Sequence, residues 1–192
     1  DDATATDHSI DLMTVGASTA VTVSGNGGIT IGTLTEKQTA ASVDASDVTG
    51  NVTANVAMNG SFKTGSGDDT INITDALAAT TLTSNNRTID AGDGADSLVF
   101  ALNDDFSAAT LALTGFETLN VAASGVVLSG AQVSGKGYSI VGDLGSDTLA
   151  VNASSGTGET IDISTSEIVL ATVTVTGGNG SDILTGSAGS AT

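Results

Sequence analysis

An all-β fold, and within it a right-handed parallel β-solenoid, is what this sequence of 192 residues predicts. Three observations carry that prediction. Short strand patterns of period two run along the chain, clusters of Gly, Asn, Asp and Ser separate them, and one turn motif recurs four times.

The strand patterns are Val21-Thr22-Val23, Asn51-Val52-Thr53-Ala54-Asn55-Val56, Thr70-Ile71-Asn72-Ile73, Thr118-Leu119-Asn120-Val121 and Thr172-Val173-Thr174-Val175-Thr176. In each, alternate side chains point to a core and to water. The residues between them are those that tolerate positive φ and close turns. Thr, Val, Ile, Ser and Asn disfavour helix, through lost χ1 freedom or competition for backbone hydrogen bonds, so only a brief helix near Ser107–Leu111 is expected. Aromatic residues make up 3% of the chain, and the core they leave possible is thin and repetitive.

The recurring motif is Gly-x-Asp, any residue, then an aliphatic one. It appears at Gly67-Asp68-Asp69-Thr70-Ile71, Gly94-Ala95-Asp96-Ser97-Leu98, Gly145-Ser146-Asp147-Thr148-Leu149 and Gly180-Ser181-Asp182-Ile183-Leu184. A further glycine precedes each: Gly65, Gly92, Gly142 and Gly178. The anchoring glycines lie 27, 51 and 35 residues apart, so loops of variable length leave the stack. Glu117 falls 23 residues past Gly94 and Glu167 falls 22 past Gly145, as if loop, strands, acid and strand formed one unit. Such self-similarity marks a solenoid, here with coils of roughly 20–25 residues. One elongated solenoid segment over 1–192 is expected, with the motif region at 59–185, a less regular start at 1–58 and a tail at 186–192. The chain starts without Met and reads as a piece of a longer protein.

Charge and missing residues narrow the function. Twenty-two acids against four bases give a net −18, which argues against nucleic acid and anionic membrane as partners and for a multivalent cation. There is no cysteine, hence no disulfide and no thiolate chemistry. No apolar run reaches the roughly eighteen residues of a membrane-spanning helix, and no signal peptide opens the chain. His8 is the only histidine, and Lys37, Lys63, Arg87 and Lys136 are the only basic side chains, so neither a catalytic triad nor a cationic polysaccharide groove can be assembled. The chain reads as a non-enzyme. Glu117 and Glu167 read as structural for the same reason of equivalence in the repeat. A Thr ladder at Thr172, Thr174 and Thr176 hints at an ice-binding face, which the irregular repeat disfavours.

Glycine turns expose backbone carbonyls, and Ca²⁺ takes about six to eight oxygens, so carbonyls plus one carboxylate per loop suit it. Zinc would want the missing His and Cys. Gly177-Gly178-Asn179-Gly180-Ser181-Asp182-Ile183-Leu184-Thr185 resembles, at every fixed position, the calcium-binding nonapeptide of RTX proteins. Residues 64–72, 91–99 and 142–150 resemble it with one or two glycines replaced. The resemblance implies three or more Ca²⁺ ions with Asp69, Asp96, Asp147 and Asp182 as side-chain ligands. Gly65, Gly67, Gly92, Gly94, Gly142, Gly145, Gly178 and Gly180 would shape the loops. Asp68, Asp93, Asp143 and Asn179 are extra oxygens, and Asp90 is a further donor. Ser24–Ile31 is a degenerate copy with Ile29 in the Asp position, and reads as a plain turn. Asp44 and Asp47, within Val43–Asn51, read as solvated turn acids.

With Gly115-Phe116-Glu117-Thr118-Leu119-Asn120-Val121 and the Ala/Thr/Gly/Val bias, the chain resembles RTX-type surface-layer proteins of Gram-negative bacteria. That resemblance implies export by a type I route, a place at the cell surface, and calcium-dependent self-assembly through lateral lattice contacts. Cell-surface polysaccharide would be met through parts outside this chain. The alternative is a calcium-stiffened stalk or ligand-binding segment of a secreted RTX adhesin.

Overall fold

The computed structural model describes residues 7–16, 19–36, 41–57, 60–74, 86–107, 110–142, 145–153, 158–170 and 172–187. The chain forms two compact units, residues 1–99 with 109–116, and residues 100–108 with 117–192.

In the first unit the strands are β1 (His8–Ile10), β2 (Met13–Val15), β3 (Ala20–Gly25), β4 (Ile29–Glu36), β5 (Ala41–Val48), β6 (Val52–Ala57), β7 (Gly60–Lys63), β8 (Thr70–Ile73), β9 (Asn86–Asp90), β10 (Ser97–Phe100) and β11 (Thr110–Thr114). Two sheets result. One runs β1-β4-β6-β8-β10, with β2 also on β4, and the other runs β11-β9-β7-β5-β3. Every pair whose register is defined is parallel, so an antiparallel sandwich is excluded. From β4 onward the chain alternates between the sheets, and equivalent residues stack coil on coil. These are the coils of a parallel β-solenoid.

Their lengths vary. Ile29 pairs with Val52, Thr53 with Thr70 and Lys63 with Asp90, advances of 23, 17 and 27 residues. The variation explains why the motif recurs without a fixed period.

Side chains of the same kind stack in rows. Val43, Phe62 and Ile89 occupy one row in consecutive strands of the second sheet, each 1% exposed. Opposite lie Val52, Ala54, Ile71, Ile73 and Leu98, all fully buried. The thin core expected from the composition is this double row of aliphatic side chains, with Phe62 as its largest member in the second sheet. On the outer face Asn72 donates to the Asn55 Oδ1 at 2.8 Å, and Asn55 in turn donates to the Gly32 carbonyl.

The second unit holds β12 (Thr118–Val121), β13 (Ser124–Ser129), α1 (Gly130–Val133), β14 (Ser139–Val141), β15 (Thr148–Asn152), β16 (Thr160–Asp162), β17 (Glu167–Val169), β18 (Thr172–Thr176) and β19 (Ile183–Thr185). Its parallel sheets are β12-β14-β17, β13-β15-β18 and β16-β19, so its coils have three sides. Leu119 and Ile140, Leu128 and Val151, and Ile161 fill the interior. Phe100 and Phe106 pack with ring centroids 5.1 Å apart.

The brief helix is not where the sequence places it. Thr110 and Leu111 belong to β11, because Leu111 pairs with Arg87 and is buried as a strand residue. The helical turn forms instead at Gly130–Val133, where the buried Gln132 accepts the Ser129 N–H at 2.7 Å and donates to the Phe106 carbonyl at 3.0 Å. A long-range polar contact decided this, against local propensity. Asp44 and Asp47 also differ from expectation: they lie on strand β5, exposed, not in a turn.

Phe62→Ala removes the largest side chain of its row and is expected to cost about 3–5 kcal/mol in urea unfolding, measured in chelator.

Candidate metal centre

In the first unit the motif glycines are explained first by packing. A Cβ on Gly67 would lie 2.5 Å from the carbonyl carbon of Gly50, and one on Gly50 would lie 2.6 Å from that of Gly27. A Cβ on Gly94 would in turn strike the Gly67 carbonyl. Beside this column runs another: a Cβ on Gly92 would strike the Gly65 carbonyl, and one on Gly115 would lie 2.7 Å from the Gly92 nitrogen. Gly92, at φ 82°, and Gly115, at φ 73°, also occupy the left-handed region. The turns of successive coils therefore touch backbone to backbone. Ser24–Ile31, read as a plain turn, belongs to the same stack through Gly27.

This close stacking fixes where the motif aspartates go. Asp69 is 1% exposed, and its Oδ1 accepts the Val52 N–H of the preceding coil at 2.7 Å. Asp96, also 1% exposed, accepts the Asp69 N–H at 2.7 Å. Asp182 accepts the Glu159 N–H at 3.0 Å. In these three turns the carboxylate caps an amide one coil earlier. Asp147 is equally buried, in the turn before β15, with the Gly142 backbone beside it.

A second, exposed line runs the other way. The Asp68 N–H donates to Asn51 Oδ1 at 3.0 Å, and the Ala95 N–H donates to Asp68 Oδ1 at 3.0 Å. Asp7 Oδ1 accepts the Gly28 N–H at 3.2 Å in the same sense. Sequence reasoning missed Asn51 and Asp7 in this role. The signal for Asn51 was available: a Gly-Asn pair, Gly50-Asn51, stands before the strand β6 as Gly67-Asp68 stands before β8.

The four motifs do not form one edge. Asp69 and Asp96 lead into strands of the same sheet, one coil apart, in the first unit. In the second unit Asp147 leads into the sheet of β15, and Asp182 into that of β19. Asp93, Asn179, Gly178, Gly180 and Gly145 are exposed in their turns, and Asp143 lies outside the described residues. Asp90 sits in β9, where Lys63 Nζ lies 3.2 Å from its Oδ2 and the Thr114 hydroxyl donates to its Oδ1 at 3.0 Å. Glu167 pairs through Ser139 with Thr118, so Glu117 is one residue out of register with it. Among the described residues no three His, Cys, Asp or Glu side chains cluster to hold a metal. Any hard cation here would draw most of its oxygens from the backbone.

Asp69 is the side chain whose environment fits a cation best. Its second oxygen, Oδ2, is buried with no hydrogen-bond partner. Desolvation raises its pKa above the ordinary carboxylate value; the Thr64 hydroxyl and the Val52 N–H pull it back, and the charge of Asp68 pushes it up again. The Thr64 hydroxyl itself donates to the Ala91 carbonyl at 2.9 Å. Asp90 is shifted the opposite way: burial raises it, but the Thr114 hydroxyl, Lys63 and the Gly92 N–H together outweigh burial and lower it.

No family model, no curated protein and no solved structure matches this chain.

Two outcomes test this geometry. Gly67→Ala, which forces the coils apart at Gly50, is expected to cost about 1–3 kcal/mol in denaturant unfolding. For Asp69 the sign follows from its raised pKa. The folded chain holds the proton more tightly than the unfolded one, so this group favours folding below the unfolded value of about 3.9, and that contribution is lost as pH rises through the folded pKa. Asp69→Asn keeps an oxygen for the Val52 amide and removes the charge. In chelator, the stability of the variant relative to wild type is expected to rise with pH across that window. A constant difference would show that Asp69 titrates normally.

Proposed function

We propose that this chain is a calcium-stabilised structural module of an extracellular, self-assembling protein. The observation that carries the reading is the buried Asp69 carboxylate, one oxygen held by an amide and the other without a partner, one coil from the buried Asp96. A buried carboxylate left in this state costs stability unless a cation or proton meets it. The chain carries a net charge of −18, and a divalent cation is the neutraliser that oxygen-only surroundings suit.

Asp69 and Asp96 would hold the ion of the first unit, and Asp147 and Asp182 would serve separate ions in the second. Bound calcium would supply positive charge at turns where coils meet, and stabilise the folded state by mass action. A thousandfold excess over Kd is worth about 4 kcal/mol per site. With a core this poor in large side chains, that increment separates a folded chain from a loosened one. Where free calcium is scarce the chain would remain loose and exportable, and outside the cell it would order and associate with further copies.

Circular dichroism in chelator and then in millimolar calcium, paired with titration calorimetry, tests the reading. Calcium is expected to deepen the β signal and raise the melting midpoint, and Asp69→Asn is expected to lose one ion from the stoichiometry. A β signal and midpoint already complete in chelator and unchanged by calcium would overturn it.

A further inference from the structure

The exposed line on the turns of the first unit holds a side-chain nitrogen that its structural role does not use. In that line Asp7 Oδ1 accepts the Gly28 N–H, Asn51 Oδ1 accepts the Asp68 N–H, and Asp68 Oδ1 accepts the Ala95 N–H. The role asks for one acceptor oxygen. Aspartate fills it at two of the three places, and the chain uses acids freely, 22 in all. Asn51 alone brings an amide nitrogen. Because its partner is an N–H, the place of Oδ1 is fixed, and the planar carboxamide turns Nδ2 away from that partner. Among the described residues Asn51 Nδ2 makes no hydrogen bond, and the residue is exposed. Described coils flank it on both sides: its carbonyl accepts the Ile29 N–H of the coil before, and Asp68 belongs to the coil after.

Asn51 also opens the triplet Asn51-Val52-Thr53, the acceptor pattern for N-linked sugar. Side chains alternate along extended backbone, so Val52 is buried while Asn51 and Thr53 are both exposed. The amide and the hydroxyl of the triplet therefore share one outward face, with the residue between them anchored in the core. Four other asparagines open such a triplet: Asn59, Asn72, Asn86 and Asn152. The structure separates them from Asn51. Asn72 is half-buried, and its Nδ2 already donates to Asn55 Oδ1 at 2.8 Å. A sugar there would displace that bond. Asn152 is half-buried in β15, in register with Ser129 on one side and Thr176 on the other. Asn59 and the side chain of Asn86 lie outside the described residues.

We propose that Asn51 is an N-glycosylation site and that Nδ2 is the nitrogen that takes the sugar. The donor is a glycosyl pyrophosphate, brought by a glycosyltransferase. Nδ2 bonds to the anomeric carbon, and the bond from that carbon to the pyrophosphate oxygen breaks. The pyrophosphate leaves with the electron pair, and the amide proton passes to a base of the transferase. Oδ1 takes no part, so the bond from Asp68 and the line of turns survive the modification. The product is a bulky, hydrated group on the outward side of the turn before β6. This inference goes beyond the calcium reading and does not depend on it.

Peptide mapping by mass spectrometry of the chain, recovered from the cells that naturally make it, is the test. Asn51 is expected to carry sugar, and Asn72 and Asn152 to be bare. A single sugar marks a nucleotide-linked donor, and a preassembled oligosaccharide marks a lipid-linked one. Asn51→Asp keeps the acceptor oxygen, as Asp7 and Asp68 do, and is expected to fold normally and lose the modification. Thr53→Ala is expected to lose it as well, and Thr53→Ser to keep it. A bare Asn51 in the natural chain would overturn the proposal, in whichever cell fraction the chain is found. That fraction is read separately, so failure here and failure of the extracellular reading are distinguishable. A second arm treats the folded chain with a purified transferase specific for Asn-x-Ser/Thr and with UDP-glucose. Hexose is expected at Asn51 before Asn72 or Asn152. Equal transfer to the three would remove the geometric selection and overturn the proposal.

Discussion

Backbone contact between the turns of successive coils is the constraint on which the rest of this structure depends. Parallel strands within a coil stack need their turns to follow one another at the strand spacing, and here the turns touch with no room for a Cβ at Gly50, Gly67, Gly94 or Gly92. Glycine at these positions is therefore steric necessity before it is conformational freedom. The same closeness leaves amides of one coil facing the turn of the next. A short acceptor immediately before the strand reaches such an amide, and Asp is the side chain that does so at Asp69, Asp96 and Asp182. The aliphatic residue two places on is then aimed into the core, as Ile71 and Leu98 are.

That chain of causes explains what could be read from the sequence. The Gly-x-Asp-x-aliphatic pattern records three consecutive demands, for a close turn, an amide acceptor and a core side chain, and all three are local. The strands after each motif and the parallel solenoid followed from it. Partnership between motifs is not local. Whether two motif turns share an edge depends on how many residues the chain spends between them, and Asp147 and Asp182 enter different sheets although their sequence signature is that of Asp69 and Asp96. The Asn51 line was legible only in the Gly-Asn pair before β6, and α1 was not, because Gln132 is held by Phe106, a residue 26 positions away.

The aspartates thus have a role that needs no ion, and this bears on the metal reading without opposing it. An amide bond uses one carboxylate oxygen. At Asp69 the other oxygen stays buried and without a hydrogen-bond partner, and the Val52 N–H with the nearby Thr64 hydroxyl does not offset the desolvation. An Asn at this site would make the same amide bond with no charge to desolvate. The chain retains the charge, and adds Asp68 beside it, where the repulsion raises the cost further. By contrast Asp90 is given Lys63 and a hydroxyl on the open face, where charge was already cheap. Compensation is present where it matters least and incomplete where it matters most.

A buried carboxylate with its compensation left incomplete costs the fold stability. Among the described residues the inward valines of β18, Val173 and Val175, are also less covered than Leu149 and Val151, their partners one coil further in. Both deficits arise from the same architecture. A solenoid satisfies each coil through its neighbours, so whatever the repeat omits, charge at a turn or cover at an end, has no remote part of the fold to supply it. A globular core could bury a stray carboxylate's partner or fold a loop across an open face. A stack of coils this thin can do so only at the coil concerned.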